Sequence, residues 1–157
     1  MRLDAATLSI DAVAKKQICI GFKQRKFGVI TVYFDGKCSS CSEEIQAYKN
    51  LAPSKTFLWK DVANDPSLIE QSGINLEDAL RRLHARDKNG NLHVGVSAFI
   101  LIWQHLPRLK WQMYAYLLKF PVLFQVATFG YNKMSDYRFS RLSHCKIVAN
   151  FGDKTEI

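Results

Sequence analysis

Apolar residues recur at two different periods along this chain, and the switches between them mark its elements. Val29, Ile30, Thr31, Val32, Tyr33 and Phe34 form a β-branched and aromatic run of strand length, closed by the turn chemistry of Asp35-Gly36. Ile45, Tyr48 and Leu51 then recur at helical spacing, which predicts a helix that opens near Cys38 and ends at Leu51-Ala52-Pro53. Glu43 and Glu44 lie near its start, where the helix dipole favours acids. Residues 57–62 read as a second strand and complete a β-α-β unit. Asp65-Pro66 starts a short helical piece through Ile69 that Gly73 stops, and Asn75 is placed to cap a helix over residues 76–82. Residues 83–86 and 91–94 flank Asp87-Lys88-Asn89-Gly90, a β-hairpin with Asn-Gly as its turn.

From Ser97 the pattern is helical. Phe99, Ile102, Trp103 and Leu106 make one apolar face, and Pro107 ends it. A helix follows over residues 109–120, another begins at Pro121, and residues 131–142 read as a last, more polar helix or turn. The division expected is an N-terminal extension over residues 1–26, a domain over residues 27–145 and a tail over residues 146–157. In the extension, the spacing of Leu8, Ile10 and Val13 suggests a short helix, and residues 18–22, which include Cys19, suggest a short strand.

The first helix carries the chemistry. Cys38 and Cys41 fall in its first turn, where backbone N–H groups lack internal acceptors and the dipole is positive. A sulfur at the cap accepts those N–H groups best as a thiolate. Lys37 adds a neighbouring positive charge. Both effects lower a thiol pKa, and the thiolate is the reactive form. Cys41 lies three residues on, within reach of a disulfide to Cys38. The pattern therefore predicts a redox pair in which Cys38 attacks and Cys41 resolves. The alternative is half of a zinc site, with His144-Cys145 as its other half; the placement after a strand and at a helix start favours redox. Asp35 has two readings, a proton relay for Cys41 or a turn residue that binds the backbone around Gly36. His84 and His93 are expected on the hairpin surface and His105 on a helix surface. Cys19 and Cys145 read as small buried hydrophobes. Arg138 and Arg141 read as partners of carboxylates, with an anion or glutathione site as the alternative.

Composition and charge narrow the partners. The 157 residues suit one core, and the 48% hydrophobic and 23% charged fractions are those of an ordinary globular protein. The net charge of +8 is dispersed, and no long stripe alternates basic and aromatic residues, so nucleic-acid binding is not expected. Asp4 and Asp11 stand where a signal peptide would need an apolar stretch, and a reducing cytoplasm is the expected compartment. Between Trp103 and Phe129 the chain is rich in apolar residues. Lys110, Lys119, Pro121 and Gln125 interrupt that run short of the roughly 20 residues a membrane span needs. These helices read as buried or partly buried, with a membrane-surface or partner-binding face as the lesser alternative.

Taken together, the chain resembles the DCC family of predicted thiol-disulfide oxidoreductases. The resemblance is carried by Asp35-Gly36-Lys37-Cys38-Ser39-Ser40-Cys41, by Leu83-His84-Ala85-Arg86-Asp87-Lys88-Asn89-Gly90 followed by Gly95-Val96-Ser97-Ala98-Phe99, and by Tyr137-Arg138-Phe139-Ser140-Arg141 with Cys145. It implies an α/β, thioredoxin-like fold, with the order β-α-β-α-β-β-α around a central mixed sheet and additional C-terminal helices. It also implies protein-disulfide reductase chemistry at Asp35, Cys38 and Cys41, supported by Gly36, Lys37, Ser39 and Ser40. The exchange needs no cofactor and no metal. Its partners are a disulfide-containing protein or small-molecule substrate and an external thiol reductant. A non-enzymatic thioredoxin-like binding module is the alternative. Two departures stand out. Ser39 occupies a position where members often carry proline, so the loop lacks a fixed φ. None of Pro53, Pro66, Pro107 and Pro121 directly precedes Leu83, so the cis-proline usual beside such a pair has no candidate and the substrate-docking edge must be built differently or be absent.

Overall fold

A computed structural model describes residues 28–70 and 72–152. The expected first strand is β1 (Ile30–Phe34), and it lies inside a four-stranded mixed sheet of order β2-β1-β3-β4. It pairs in parallel with β2 (Phe57–Asp61), Ile30 opposite Phe57 and Phe34 opposite Asp61. On its other side it pairs antiparallel with β3 (His84–Arg86), Thr31 opposite Arg86, and β4 (Leu92–Val94) closes that edge. Helix α1 (Ser39–Leu51) links β1 to β2. Helices α2 (Ser67–Glu70) and α3 (Leu76–Arg81) lead to β3, with Asn75 Oδ1 accepting from Glu77 N at 2.8 Å as the expected cap. After β4 come α4 (Val96–Gln104), α5 (Leu109–Leu117), α6 (Pro121–Arg141) and α7 (Ser143–Gly152). This is the thioredoxin-like α/β order with added C-terminal helices.

The continuous apolar run of β1 has a plain cause: both of its faces are covered. Ile30, Val32 and Phe34 pack with Ile45 and Tyr48 of α1 and with Ala98, Leu101 and Ile102 of α4. Tyr33, on the opposite face, packs with Val62, Ile69, Leu80 of α3, Phe139 of α6 and Cys145 of α7. Each such apolar side chain contributes about 1.5–3 kcal/mol through burial. Tyr48 keeps its hydroxyl satisfied in the core, donating to Glu44 Oε1 at 2.6 Å and accepting from Trp103 Nε1 at 2.9 Å. The hairpin forms as expected. Asp87 Oδ1 accepts from Asn89 N and Asn91 N, and Gly90 takes φ +91°.

Several expectations are corrected. Residues 121–141 are one helix, not two pieces; Gly130 lies inside it without breaking it, and Tyr131 anchors it to the sheet by accepting from Leu83 N at 2.9 Å. Beyond Cys145 the chain continues as helix α7 to Gly152 where a tail was expected. His84 is buried, not on a surface; its Nδ1 sits 2.8 Å from Arg82 O, and burial holds its pKa below the ordinary value. The apolar side chains of α5 and early α6 are largely exposed, not buried. Trp111 packs α5 on Trp103, and both faces of the sheet are already occupied, which leaves the rest of those helices outside. Among the described residues no helix is long and apolar enough to cross a membrane, and no peptide bond is cis. The expected extension over residues 1–26, with Cys19, lies outside the described residues.

Gly36 lets the turn after β1 close against the end of β2. Its N–H donates to Asp61 Oδ1 at 3.0 Å, and a Cβ there would run into the Asp61 carboxylate. Gly36→Ala is expected to destabilise the fold by about 1–3 kcal/mol. Gly130→Ala, with nothing near its Cβ in the helix, is expected to stabilise it by about 0.5–1 kcal/mol. Urea midpoints at unchanged slope measure both.

Candidate active site

The carboxyl end of β1 delivers three groups in seven residues. Asp35 is 3% exposed at the strand end, and its Oδ1 accepts from Lys37 N at 3.1 Å, so the expected turn role is present. Cys38 is the N-cap of α1, with φ −87° and ψ 113°, and its Sγ accepts from Cys41 N at 3.4 Å. Ser42 Oγ donates back to Gly36 O at 2.8 Å and closes the loop. Ser40 Oγ stands 3.3 Å from Cys38 Sγ, while Ser39 starts the helix with an exposed side chain. Cys38 Sγ and Cys41 Sγ are 2.6 Å apart and both cysteines are free.

The C-terminal helices bring the rest. Arg138 of α6 donates from Nη1 to Cys41 Sγ at 2.8 Å, across 97 residues of sequence. The same nitrogen lies 3.5 Å from Asp35 Oδ2, and Nη2 donates to Leu80 O and Arg81 O at the end of α3. Ser135 Oγ donates to Arg81 O as well. The hydrogen-bonded cation at the sulfurs is therefore Arg138, whereas Lys37 is exposed and serves Asp35 through its backbone. On α7, His144 Nε2 lies 3.0 Å from both oxygens of Asp35, and Cys145 Sγ donates to Asp35 Oδ2 at 3.8 Å from a fully buried position. Arg141 remains at the surface, stacked over Tyr137.

These contacts split the two thiols. Burial raises the pKa of Cys38. The hydrogen bonds it makes with Cys41 and Ser40, the nearby Arg138 guanidinium and the Cys41 amide outweigh that effect and hold it below an ordinary thiol. Cys41 is pushed up to about 12 by burial and by its bond to Cys38, against the pull of Arg138. Cys145 is pushed up to about 11, first by burial and then by the Asp35 charge. Accessibility runs the other way. Cys38 is 2% exposed, while Cys41 is partly exposed. Reactivity and exposure thus reside on different sulfurs.

The zinc alternative needed His144-Cys145 to meet Cys38 and Cys41. Asp35, His144 and Cys145 do converge, with ligand atoms within 4.8 Å of one another, but the cysteine pair is not in that group. The Arg138 guanidinium already supplies a positive charge to Asp35 there. Sequence reading named Arg138 and His144 without placing either at Asp35. The signal available was their position in or beside the Tyr137–Cys145 block.

The split generates a test. Arg138→Met is expected to slow alkylation of Cys38 at neutral pH by about tenfold, because one contacting opposite charge is lost, and to move the rate profile to higher pH. Lys37→Met is expected to leave both nearly unchanged. Iodoacetamide kinetics across pH, with mass spectrometry to identify the labelled sulfur, measure this.

No curated protein and no solved structure matches the chain. A family profile does, and it covers residues 32–143, which take in β1 from Val32 onward, the cysteine pair, Arg138 and the first residue of α7. The chain belongs to the DCC1-like thiol-disulfide oxidoreductase family.

Proposed function

We propose that this protein is a dithiol–disulfide exchange enzyme of the protein-disulfide reductase type. The observation that carries the reading is the pair itself: two free sulfurs 2.6 Å apart at a helix start, with a guanidinium 2.8 Å from one of them. Cys38, as thiolate, attacks one sulfur of a substrate disulfide and the other substrate sulfur leaves as thiolate. Cys41 then gives up its proton, attacks Cys38 Sγ and releases the substrate as a dithiol. The pair is left as a Cys38–Cys41 disulfide, two electrons poorer, and an external thiol restores it.

The electrostatics support these roles. A thiol raised to about 12 does not ionise unaided at neutral pH, so resolution by Cys41 needs a base. Asp35 is the nearby carboxylate, held by His144 and Lys37 N and joined to Cys41 through the shared Arg138. Cys38 needs no such help. Its exposure of 2% means that the first turn of α1 must open for a protein disulfide to reach it. A binding module without turnover would have no use for one lowered and one raised thiol in contact.

Two variants test the scheme. Cys41→Ser is expected to accumulate mixed disulfides with substrate that dithiothreitol releases and that Cys38→Ser removes; absence of adducts in the first variant sinks the reading. Asp35→Asn is expected to slow resolution by about 100-fold, the scale of a lost general base, and to slow the first attack by no more than the roughly tenfold expected of Arg138→Met. Stopped-flow separation of the two steps reads this.

A further inference from the structure

A cavity of about 720 Å³ opens beside the sulfur pair, lined by parts of α1, α4 and α6. That volume is in the range of small-molecule sites, roughly 300–1,000 Å³. Its lining is predominantly apolar, with Phe99, Trp103, Leu118, Ala127 and Tyr131 among its walls. Cys41 stands in the lining and Cys38 does not. Arg82, Arg138 and Arg141 line it too, as do Asp35, paired with Arg138, and Glu44, which accepts from the Tyr48 hydroxyl. Arg82 Nε is buried without a hydrogen-bond partner, and the nearest carboxylate oxygen, on Asp136, is 3.8 Å from its Nη2. Among the described residues no carboxylate pairs with Arg141. The backbone leading into β3 offers a peptide no strand to pair with, because Leu83 N–H goes to Tyr131 and Leu83 C=O accepts from Gly95 N at 2.8 Å.

We propose that this cavity binds the reductant that restores the pair, and that the reductant is a low-molecular-weight dithiol with an apolar body and an anionic end. The proposal rests on the dithiol–disulfide reading above. One thiolate of the bound dithiol attacks Cys41 Sγ of the Cys38–Cys41 disulfide. A bond forms between the dithiol sulfur and Cys41, and Cys38 leaves as thiolate onto the Cys41 amide and Ser40 hydroxyl. The second sulfur of the dithiol then attacks the first, which expels Cys41 to take up a proton. The dithiol leaves as a cyclic disulfide, and its two electrons stay on the pair. The direction of cleavage suits the site, since the sulfur with the lower pKa is the better leaving group.

Dihydrolipoic acid is the probe, with dithiothreitol as a polar dithiol for comparison and octanoic acid as a sulfur-free analogue. Reduction of the oxidised enzyme by dihydrolipoic acid is expected to saturate, to exceed the dithiothreitol rate by about tenfold at low concentration, and to be inhibited competitively by octanoic acid. Ala127→Trp is expected to remove saturation and inhibition while Cys38 alkylation in the reduced enzyme stays the same. Octanoic acid binding to the wild type, read by tryptophan fluorescence, keeps the test decisive if that variant folds poorly. Linear reduction that octanoic acid does not slow overturns the proposal. If disulfide substrates turn over but octanoic acid does not bind, the cavity assignment fails alone. If octanoic acid binds the Cys38→Ser, Cys41→Ser variant and the wild-type pair exchanges with no disulfide, the redox reading fails and takes the reductant with it.

A second observation stands apart from the sulfur chemistry. On α5, α6 and the link between them, Leu109, Met113, Tyr116, Phe120, Val126 and Phe129 are each between 52 and 71% exposed. Between Asp87 and Asp136 the chain has no Asp or Glu, while Arg108, Lys110, Lys119 and Lys133 lie on or beside these helices. We infer that α5 and the first half of α6 dock on the headgroup region of an anionic membrane. Apolar and aromatic side chains with basic neighbours and no acids suit that interface. A two-fold contact between copies would set these like charges against one another. Co-sedimentation with phosphatidylcholine vesicles containing about a third phosphatidylglycerol tests it. Binding is expected, reduced by about tenfold or more on neutral vesicles and in Phe120→Ser, Val126→Ser protein, with disulfide exchange unchanged. No binding to the anionic vesicles overturns it, as does a dimer in sedimentation equilibrium that the same substitutions disperse.

Discussion

One buried carboxylate gathers this site. Asp35 is 3% exposed, and a charge so placed is costly unless it is paired and hydrogen-bonded. Its partners come from three directions: Lys37 N in the loop, Arg138 on α6, and His144 with Cys145 on α7. The carboxylate therefore ties the two C-terminal helices to the end of β1. The Arg138 charge beside the cysteine pair arrives along one of those ties.

The asymmetry comes from burial and from the hydrogen bond between the two sulfurs, and a single guanidinium lowers both thiols against that burial. Arg138 bridges Asp35 and the sulfurs, and it is itself held by carbonyls at the end of α3. Ionisation of Cys38 is favoured by donors that converge on it, while the Cys41 proton is retained beside the resulting charge. A helix start alone would lower the pKa of a capping thiol. The arginine and the second sulfur decide by how much, and which of the two thiols ionises first.

The C-terminal helices do more than cover the sheet. Helix α6 supplies Arg138, the anchor Tyr131 and one wall of the cavity beside Cys41. Its continuity makes this possible, since Tyr131, Ser135 and Arg138 recur along one face of the helix at spacings of three and four. Had the helix broken near Gly130, as the sequence suggested, those groups would not have shared a rigid frame. The same Tyr131 occupies the backbone N–H of Leu83, so the edge that a cis-proline serves in related folds is closed here by a side chain.

Short-range order was legible in the residues. The β-branched run, the Asp35-Gly36 turn, the capping Cys38, the Asn89-Gly90 hairpin and the Asn75 cap all act within a few positions, and local chemistry specifies each of them. The continuous apolar character of residues 29–34 marked a strand, and the packing of both its faces came with the fold. By itself, then, the sequence determined the four strands, the helices as far as α5, their order and the placement of two sulfurs at a helix start; the extent of α6 and the existence of α7 it did not. It did not determine which cation meets those sulfurs, that His144 reaches Asp35 across 109 residues, that Cys38 is the covered sulfur and Cys41 the one in the cavity wall, or that α5 is left outside. Those outcomes depend on how α6 and α7 pack over a sheet face formed far earlier in the chain. Neither residue spacing nor periodicity encodes a distance between elements that meet only in the folded molecule.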